Sequence, residues 1–549
     1  MIQRTQPIFI GSAWPYANGS LHIGHASALL PSDVLARFYR ARGNPVLYVS
    51  GSDCHGTPIS VKAEKQKKKP SEIAAFFHNE FRDNFSKLGF SYDWYGATTD
   101  AMHIQTVQDI FLALYTSGYI EKRKEFGMFD PKLGRFLPDR YIEGTCPHCS
   151  FSPARGDQCD NCGSLLDPDQ LVNAKSVLSG VAPVKKETEH FYLLLSKFQE
   201  PLLKYIRSIK HIRKNTKSFV DNFLSKGLHD RAITRDLDWG VPIPISGFET
   251  KKIYVWFEAV CGYYSMSLQF AKEKGMDIHK FWDDEACAYY VYGKDNIPFH
   301  TIIWPSILLA YALGTNKKLH LPDFHVASEY IQIEGKKLST SRNWAIWIPD
   351  LLKDFPQDAI RYALLALGPE TSDTNFTFAD FEAKINNELV ATVGNFIQRS
   401  LALCKKTSLK EIGDDVPFAS DVEAYFTQIE SSLTAAKFKD ALTSISNLAA
   451  AGNKYLDTAH PWTVLKTDVA SARKTIAIAA KTAAQFGILL EPFTPDGAAR
   501  IRSYFSINKY TWNPSIENMK ISPPDTPIFQ KIEPELIAAH QEAFIKAKA

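Results

Sequence analysis

Two short apolar runs near the start of the chain are each followed by a longer amphipathic stretch, and that order constrains the fold most. Pro7-Ile8-Phe9-Ile10 ends at Gly11 and precedes a predicted helix from about Ser20 to Arg42. "NPVLYVSGSD" is a second strand running into a loop, and "SEIAAFFHNEFRDNFSKLG" has helical spacing between a serine start and a glycine stop. A β-α-β-α order predicts an α/β fold with a parallel sheet and ligands at the carboxyl ends of its strands. Strand-like runs at Lys252–Val260 ("KIYVWFEAV") and Ala288–Tyr292 are expected to complete the sheet. "FHVASEYIQIEGKKLSTSR" reads as a strand, a Gly-bounded turn and a basic loop.

From about Phe126 to Asp167 this order breaks into turns and cysteines, as an inserted module would. Beyond about residue 386 the sequence becomes alanine-rich and helix-periodic, which predicts a helical bundle. A length of 549 residues itself implies several domains. The composition, 45% hydrophobic and 22% charged, excludes a disordered chain. A net charge of +3 names no partner, since a polyanion needs only a local basic face. Val61–Pro70 and Lys204–Lys217 are basic runs that suit either a phosphate backbone or solvated surfaces. No uninterrupted apolar run reaches the length of a bilayer span, and "MIQRTQPIFIGSAWPY" lacks the features of a signal peptide. A cytoplasmic protein with no membrane partner is expected.

Four of the eight cysteines crowd together in "CPHCSFSPARGDQCDNCG". Cys146, Cys149, Cys159 and Cys162 form two C-x2-C pairs nine residues apart, with a glycine after the last. Four thiolates so spaced can close a tetrahedral zinc site, with a redox pair as the competing reading. Cys54, between Asp53 and His55, is open to a nucleophilic or a packing role.

The stretch "WPYANGSLHIGH" places His22 and His25 where the first strand hands over to its helix. A helix N-terminus offers unpaired N–H groups and the positive end of a dipole, so it suits phosphate. Positions 22 and 25 share a helix face, and Gly24 leaves room for a flat ring. Two imidazoles there could grip a nucleotide triphosphate, hold a metal, or cap the helix.

His22-Ile23-Gly24-His25, followed some 310 residues later by Lys337-Leu338-Ser339-Thr340-Ser341, resembles the paired signatures of class I aminoacyl-tRNA synthetases. "PYANGSLHIGH", "GSDCHGTPI", "FLPDRYIEGTCPHC", "YVWFEAVCGYYS", "GKDNIPFH" and "HPWTVLK" are similar, in order, to segments of the methionyl-tRNA synthetase family. The resemblance covers nearly the whole chain. It implies a Rossmann-type core split by a zinc-knuckle insertion, then a helical anticodon-binding bundle. The implied divisions are 1–116 and 231–324 for the catalytic halves, 117–230 for the insertion, 325–385 for a stem-contact domain and 386–549 for the bundle and tail.

The implied reaction condenses L-methionine with ATP, with Mg²⁺ screening the phosphates, and passes the methionyl group to initiator and elongator tRNA(Met). His22, His25 and Lys337 are the implied catalytic residues. Gly24, Gly293, Asp295, Lys337 and Thr340 are implied to hold ATP, with Asp295 on the ribose. Asp53 is implied to meet the methionine ammonium, supported by Arg235; a turn cap is its bland alternative. Ala13, Trp14, Tyr16, Trp256, Ala259, Tyr263 and His300 match the side-chain pocket, where selection rests on shape and sulfur–aromatic contact. Trp14 and Val260 depart from the leucine and proline commoner in the family. Asn395, Arg399 and Trp462 are implied to meet the anticodon, although an Asn/Arg pair is also ordinary helix surface. The four cysteines are implied to hold one structural zinc ion.

Thr340 stands where the second signature usually carries its second lysine, leaving Lys336, Lys337 and Arg342 to supply the charge. A monomer is expected. The rivals are another class I synthetase and a paralogue that binds tRNA without catalysis.

Overall fold

The computed structural model describes residues 2–138, 141–156, 159, 161–162, 166, 168–209, 211–317, 319–340, 343–508, 510–513 and 519–546. Gly163, Lys210, Ser341 and Arg342, each part of a sequence motif above, lie outside the described residues.

Five parallel strands form the main sheet: β1 (Ile8–Ser12), β2 (Val46–Ser52), β3 (Trp94–Ala97), β4 (Cys287–Gly293) and β5 (Phe324–Ser328). Their spatial order is β3-β2-β1-β4-β5, with His211–Ile212 of the insertion pairing parallel on the outer edge of β5. Chain order reverses between β1 and β4, so a crevice opens beyond their carboxyl ends. The run Ile8-Phe9-Ile10 is buried on both faces, as a central parallel strand requires.

The helix Ile23–Arg42 follows β1 and ends at Gly43, whose φ of 91° admits the left-handed stop. The expected strand at Lys252–Val260 is corrected. Only Lys252–Ile253 is extended, and Val255–Lys274 is a helix. Val255, Phe257, Glu258, Val260, Cys261, Gly262 and Tyr263 are all buried there, so no polar face breaks the apolar run. A helix start that buries most of its residues cannot be told from a buried strand by periodicity.

The insertion is a long antiparallel ribbon, Ile120–Asp130 against Val184–Leu193. At its far end a three-stranded sheet (Ile142–Thr145, Ala154–Arg155, Val172–Ser176) carries the cysteines. Leu137, Tyr141, Ile142, Ala154, Leu166 and Leu171 form a small core there, separate from the main one. The run Lys294–Thr315 is long and apolar enough to cross a bilayer, but 61% of its most apolar window is buried inside the fold.

Beyond β5, Ile331–Ile333 pairs antiparallel with Lys336–Lys337 and parallel with Thr374–Phe376. The turn between the first two uses Glu334 and Gly335 at positive φ. Long helices follow, including Asn395–Thr407, Phe438–Ala459 and Val469–Ala484. The helix Pro534–Lys546 returns to the base of the basic loop. Phe544 meets the Trp344 ring edge-on at 4.8 Å, and His540 bonds Asp354 at 2.8 Å.

Candidate active site

His22 caps the helix Ile23–Arg42, and the capping is reciprocal. Nδ1 of His22 accepts the backbone N–H of His25, and Nδ1 of His25 accepts that of His22, each at 3.3 Å. The rings stack with centroids 3.7 Å apart. With both Nδ1 atoms accepting, each neutral ring carries its proton on Nε2, leaving two N–H donors for a ligand. Burial holds His25 down to about 4; burial, then the His25 charge, hold His22 well below its ordinary value. Both are therefore neutral donors near pH 7. A Cβ on Gly24 would come within 3.0 Å of the His22 ring and 3.3 Å of Leu338 Cδ1, so the glycine lets the basic loop lie against the helix start.

That loop is tied down at its base. Ser339 and Trp344 exchange backbone hydrogen bonds, Ile23 N–H donates to Ile346, and Ile348 N–H donates to Leu21. Lys336 Nζ lies 4.7 Å from the Trp344 ring centre, while Lys337 Nζ lies 5.6 Å from that of Tyr330. The Tyr330 hydroxyl in turn donates to Asp295, just after Gly293 at the end of β4. Lys337 and Asp295 thus flank one tyrosine, with Thr340 exposed beyond.

Asp53 follows β2, its backbone paired with the Tyr16 segment. It is 4% exposed, and its Oδ1 has no hydrogen-bond partner. Burial, then the neighbouring Glu258 charge, push its carboxyl well above the usual range. Arg235 is engaged elsewhere, donating to the carbonyls of Ala232 and Thr234 and stacked over Tyr254. The Cys54 thiol is buried and pushed up by that burial, which fits packing rather than nucleophilic attack.

Several of the aromatic residues meet one another, Trp14 edge-on to Tyr263 at 6.4 Å. Ala13 and Trp14 follow β1, and the Trp14 indole fills a slot between Gly51 and Gly262, where any Cβ would lie 2.4 Å from it. That slot explains how a tryptophan fits here. Tyr263 is fully buried and donates from its hydroxyl to His300 Nε2 at 2.7 Å, because His300 Nδ1–H is spent on the Asn296 carbonyl. Ala259 and Val260 lie on the Tyr263 helix, with Ala259 half-buried and Val260 buried. Trp256, on that helix too, is 49% exposed and packed on Tyr254 and Phe299.

The sequence reading missed the floor beneath Asp53. Glu258 is fully buried and lies 2.9 and 3.0 Å from His55 Nδ1 through its two oxygens, with His103 Nε2 at 3.7 Å. The spacing of Asp53 and His55 was the only local signal, since Glu258 lies far along the chain. Tyr292 was also missed; it stacks on His300 at 4.1 Å and donates to His325 Nδ1 at 2.9 Å.

The cysteine cluster has the dimensions of a metal site. Cys146 and Cys162 sulfurs are 3.9 Å apart, Cys149 and Cys159 sulfurs 3.6 Å, and all four lie within 4.8 Å of one another. Zinc–sulfur bonds of about 2.3 Å imply sulfur–sulfur edges of about 3.8 Å, so the four residues fit a tetrahedral zinc ion.

In the helical region Asn395, Arg399 and Trp462 come together, with two residues the sequence did not single out. Asn453 Oδ1 accepts from Asn395 Nδ2 at 3.2 Å and from Arg399 at 3.1 Å, and Asp457 accepts from Arg399 at 2.6 Å. The Arg399 guanidinium lies 5.4 Å from the Trp462 ring centre.

Residues 8–401 match the family described as tRNA synthetases class I (M), and residues 411–549 match the anticodon binding domain of methionyl tRNA ligase. The methionine–tRNA ligase of Bacillus cereus is 44% identical over 547 residues, covering 97% of this chain and 98% of that one. Methionine–tRNA ligase 2 of Bacillus anthracis is 44% identical over 541 residues, at 97% and 98% coverage. The fold is similar to that of Mycobacterium tuberculosis methionyl-tRNA synthetase bound by methionyl-adenylate, with a TM-score of 0.77 at 21% identity over 96% of this chain and 100% of that one. Its free state aligns at 0.69, with 21% identity over 96% and 99%. Matched along nearly its full length by both descriptions and by these relatives, the chain belongs to the methionyl-tRNA ligases, enzymes of the class I aminoacyl-tRNA synthetase family.

Proposed function

We propose that the crevice beyond β1 and β4 activates L-methionine with ATP and passes the methionyl group to the terminal ribose of tRNA(Met). Asp53 receives the ammonium, and Ala13, Trp14, Tyr16, Trp256, Ala259, Tyr263 and His300 enclose the thioether. The methionine carboxylate then attacks the α-phosphorus as pyrophosphate leaves. Charge builds on the phosphoryl oxygens, and the Nε2–H groups of His22 and His25 are fixed donors for it. Gly24 and Gly293 leave space for the nucleotide, Asp295 holds the ribose hydroxyls, and Lys337 neutralises the departing phosphates with Thr340 positioning them. ATP arrives with Mg²⁺. In the second step a ribose hydroxyl attacks the acyl carbon and AMP leaves.

Asn395, Arg399 and Trp462 read the anticodon by hydrogen bonding and stacking, in initiator and elongator tRNA alike. Cys146, Cys149, Cys159 and Cys162 hold one structural zinc ion; four protein ligands leave no open position, so the ion stiffens the insertion and takes no part in the reaction. Domain divisions near residues 116, 230, 324 and 385, a monomeric state and a cytoplasmic location complete the reading.

The observation that carries it is the buried, unpartnered Oδ1 of Asp53 just beyond the carboxyl end of β2. Methionine-dependent ATP–pyrophosphate exchange, followed by charging of tRNA(Met), tests it. Binding of tRNA without either activity would favour a non-catalytic paralogue.

A further inference from the structure

The floor of the crevice holds two buried carboxyl groups, although a methionine brings only one ammonium. Asp53 and Glu258 are 4% and 0% exposed. Their surroundings differ sharply. Glu258 faces His55 through both oxygens and His103 through one. Burial raises its proton affinity, but His55 and His103 outweigh burial and leave Glu258 below the usual carboxylate range. Glu258 is therefore the ionised member of the pair.

Asp53 has no comparable support. Its Oδ1 is unpartnered, and the one opposing donor is the backbone N–H of His55. The other groups facing the pair are the neutral Cys54 thiol beside it, Asp100 beyond β3 and His103 on the helix Ala101–Thr116. Glu258 adds negative charge at Asp53, while the Asp100 charge acts on the Cys54 thiol. When two buried carboxyls share a site, the less supported one takes up a proton.

We propose that methionine enters by exchanging a cation for a proton: Asp53 is the neutral acid in the empty pocket, and the incoming ammonium displaces its proton to solvent. Glu258, fixed by His55 and His103, is the positioning residue that sets this asymmetry. The O–H bond of Asp53 breaks, its proton passes to buffer, and the new carboxylate accepts an N–H of the ammonium. The pocket's net charge is the same before and after, so no isolated buried charge is created at any stage. The inference rests on the methionine reading above.

Isothermal titration of the full chain with L-methionine tests it, run near neutral pH in two buffers of different ionisation enthalpy. The expected result is a buffer-dependent heat corresponding to about one proton released per methionine, with affinity rising tenfold per pH unit while Asp53 holds its proton. Glu258→Gln removes the charge but not the burial, so it should reduce the proton release near neutral pH and move the pH dependence of methionine binding to lower pH, an effect that loss of packing alone would not produce. Methionine binding with the same heat in both buffers would overturn the exchange and leave the methionine reading intact. No methionine binding at all, in a chain shown folded by its thermal transition, would overturn the reading itself.

Discussion

The Asp33 carboxylate and the Arg361 guanidinium meet at 2.7 Å with neither side chain exposed. Asp33 lies on the helix that His22 caps, and Arg361 on the helix Gln357–Leu367. Arg361 also donates to the carbonyls of Leu88, Pro492 and Phe493, and Arg37 bridges Asp33 to Glu491. One buried knot thus joins the catalytic core, the region after the basic loop and the helical bundle. Arg361→Ala should cost about 3–5 kcal/mol, because it takes one of two cations from a buried carboxylate and leaves the carbonyls of Leu88, Pro492 and Phe493 without their donor. The check is chemical denaturation, and Asp33→Asn in the same chain should recover part of the loss.

Metal analysis of the purified chain should find close to one zinc per molecule. Cys146→Ser should lower that occupancy and raise protease cleavage within 117–230, since the small cysteine-bearing core has little apolar area of its own. A metal-free chain of full activity would remove the zinc assignment.

Trp462→Ala should cut tRNA charging by about 5- to 150-fold, because a stacked base is worth about 1–3 kcal/mol. Methionine-dependent pyrophosphate exchange should survive. Asn453→Leu should follow the same pattern, since Asn453 orients both Asn395 and Arg399. Equal loss in the two assays would make Trp462 a structural residue.

Lys337→Ala should lower the rate of adenylate formation by about 10²–10³, with a smaller effect on ATP binding, as loss of a transition-state donor does. Thr340→Ala should be milder. Lys336, turned onto Trp344, should also matter less. Single-turnover adenylate formation unchanged by Lys337→Ala would reassign the loop.

Four buried or part-buried imidazoles should make the fold acid-sensitive. Burial holds His25 and His300 at about 4 and His325 at about 3, and His22 is also lowered, from an ordinary 6.5. With folded values below unfolded ones, the unfolded chain takes up protons first. Their stabilisation is therefore complete above pH 6.5 and lost as pH falls toward 4. Thermal midpoints should drop across that window, and His300→Asn should reduce the drop.

Much of this site was legible because its residues act through local chain order. The His22/His25 pair, the C-x2-C spacing and the Asn395/Arg399 interval each fix a geometry within one turn or one knuckle. Glu258 was not legible: His55 and His103 reach it only once β2, β3 and two helices have packed. The helix Val255–Lys274 was misread for a related reason, since its one exposed residue near the start, Trp256, is itself apolar and marks no polar stripe. Asn453 and Asp457 share a helix face at four-residue spacing, but nothing in their own sequence marks Arg399 as their partner.

The contact between Trp344 and Phe544 also has a consequence for synthesis. The hairpin carrying Lys337 and Thr340 leaves the ribosome some 200 residues before the helix that braces its base. The parallel sheet and the capped imidazoles can form while translation continues, since domains fold in order of emergence. The last brace on the loop, the Phe544 ring against Trp344, cannot. A nascent chain should therefore bind its amino acid before it can turn it over, and competence should come abruptly once residue 544 is free to dock.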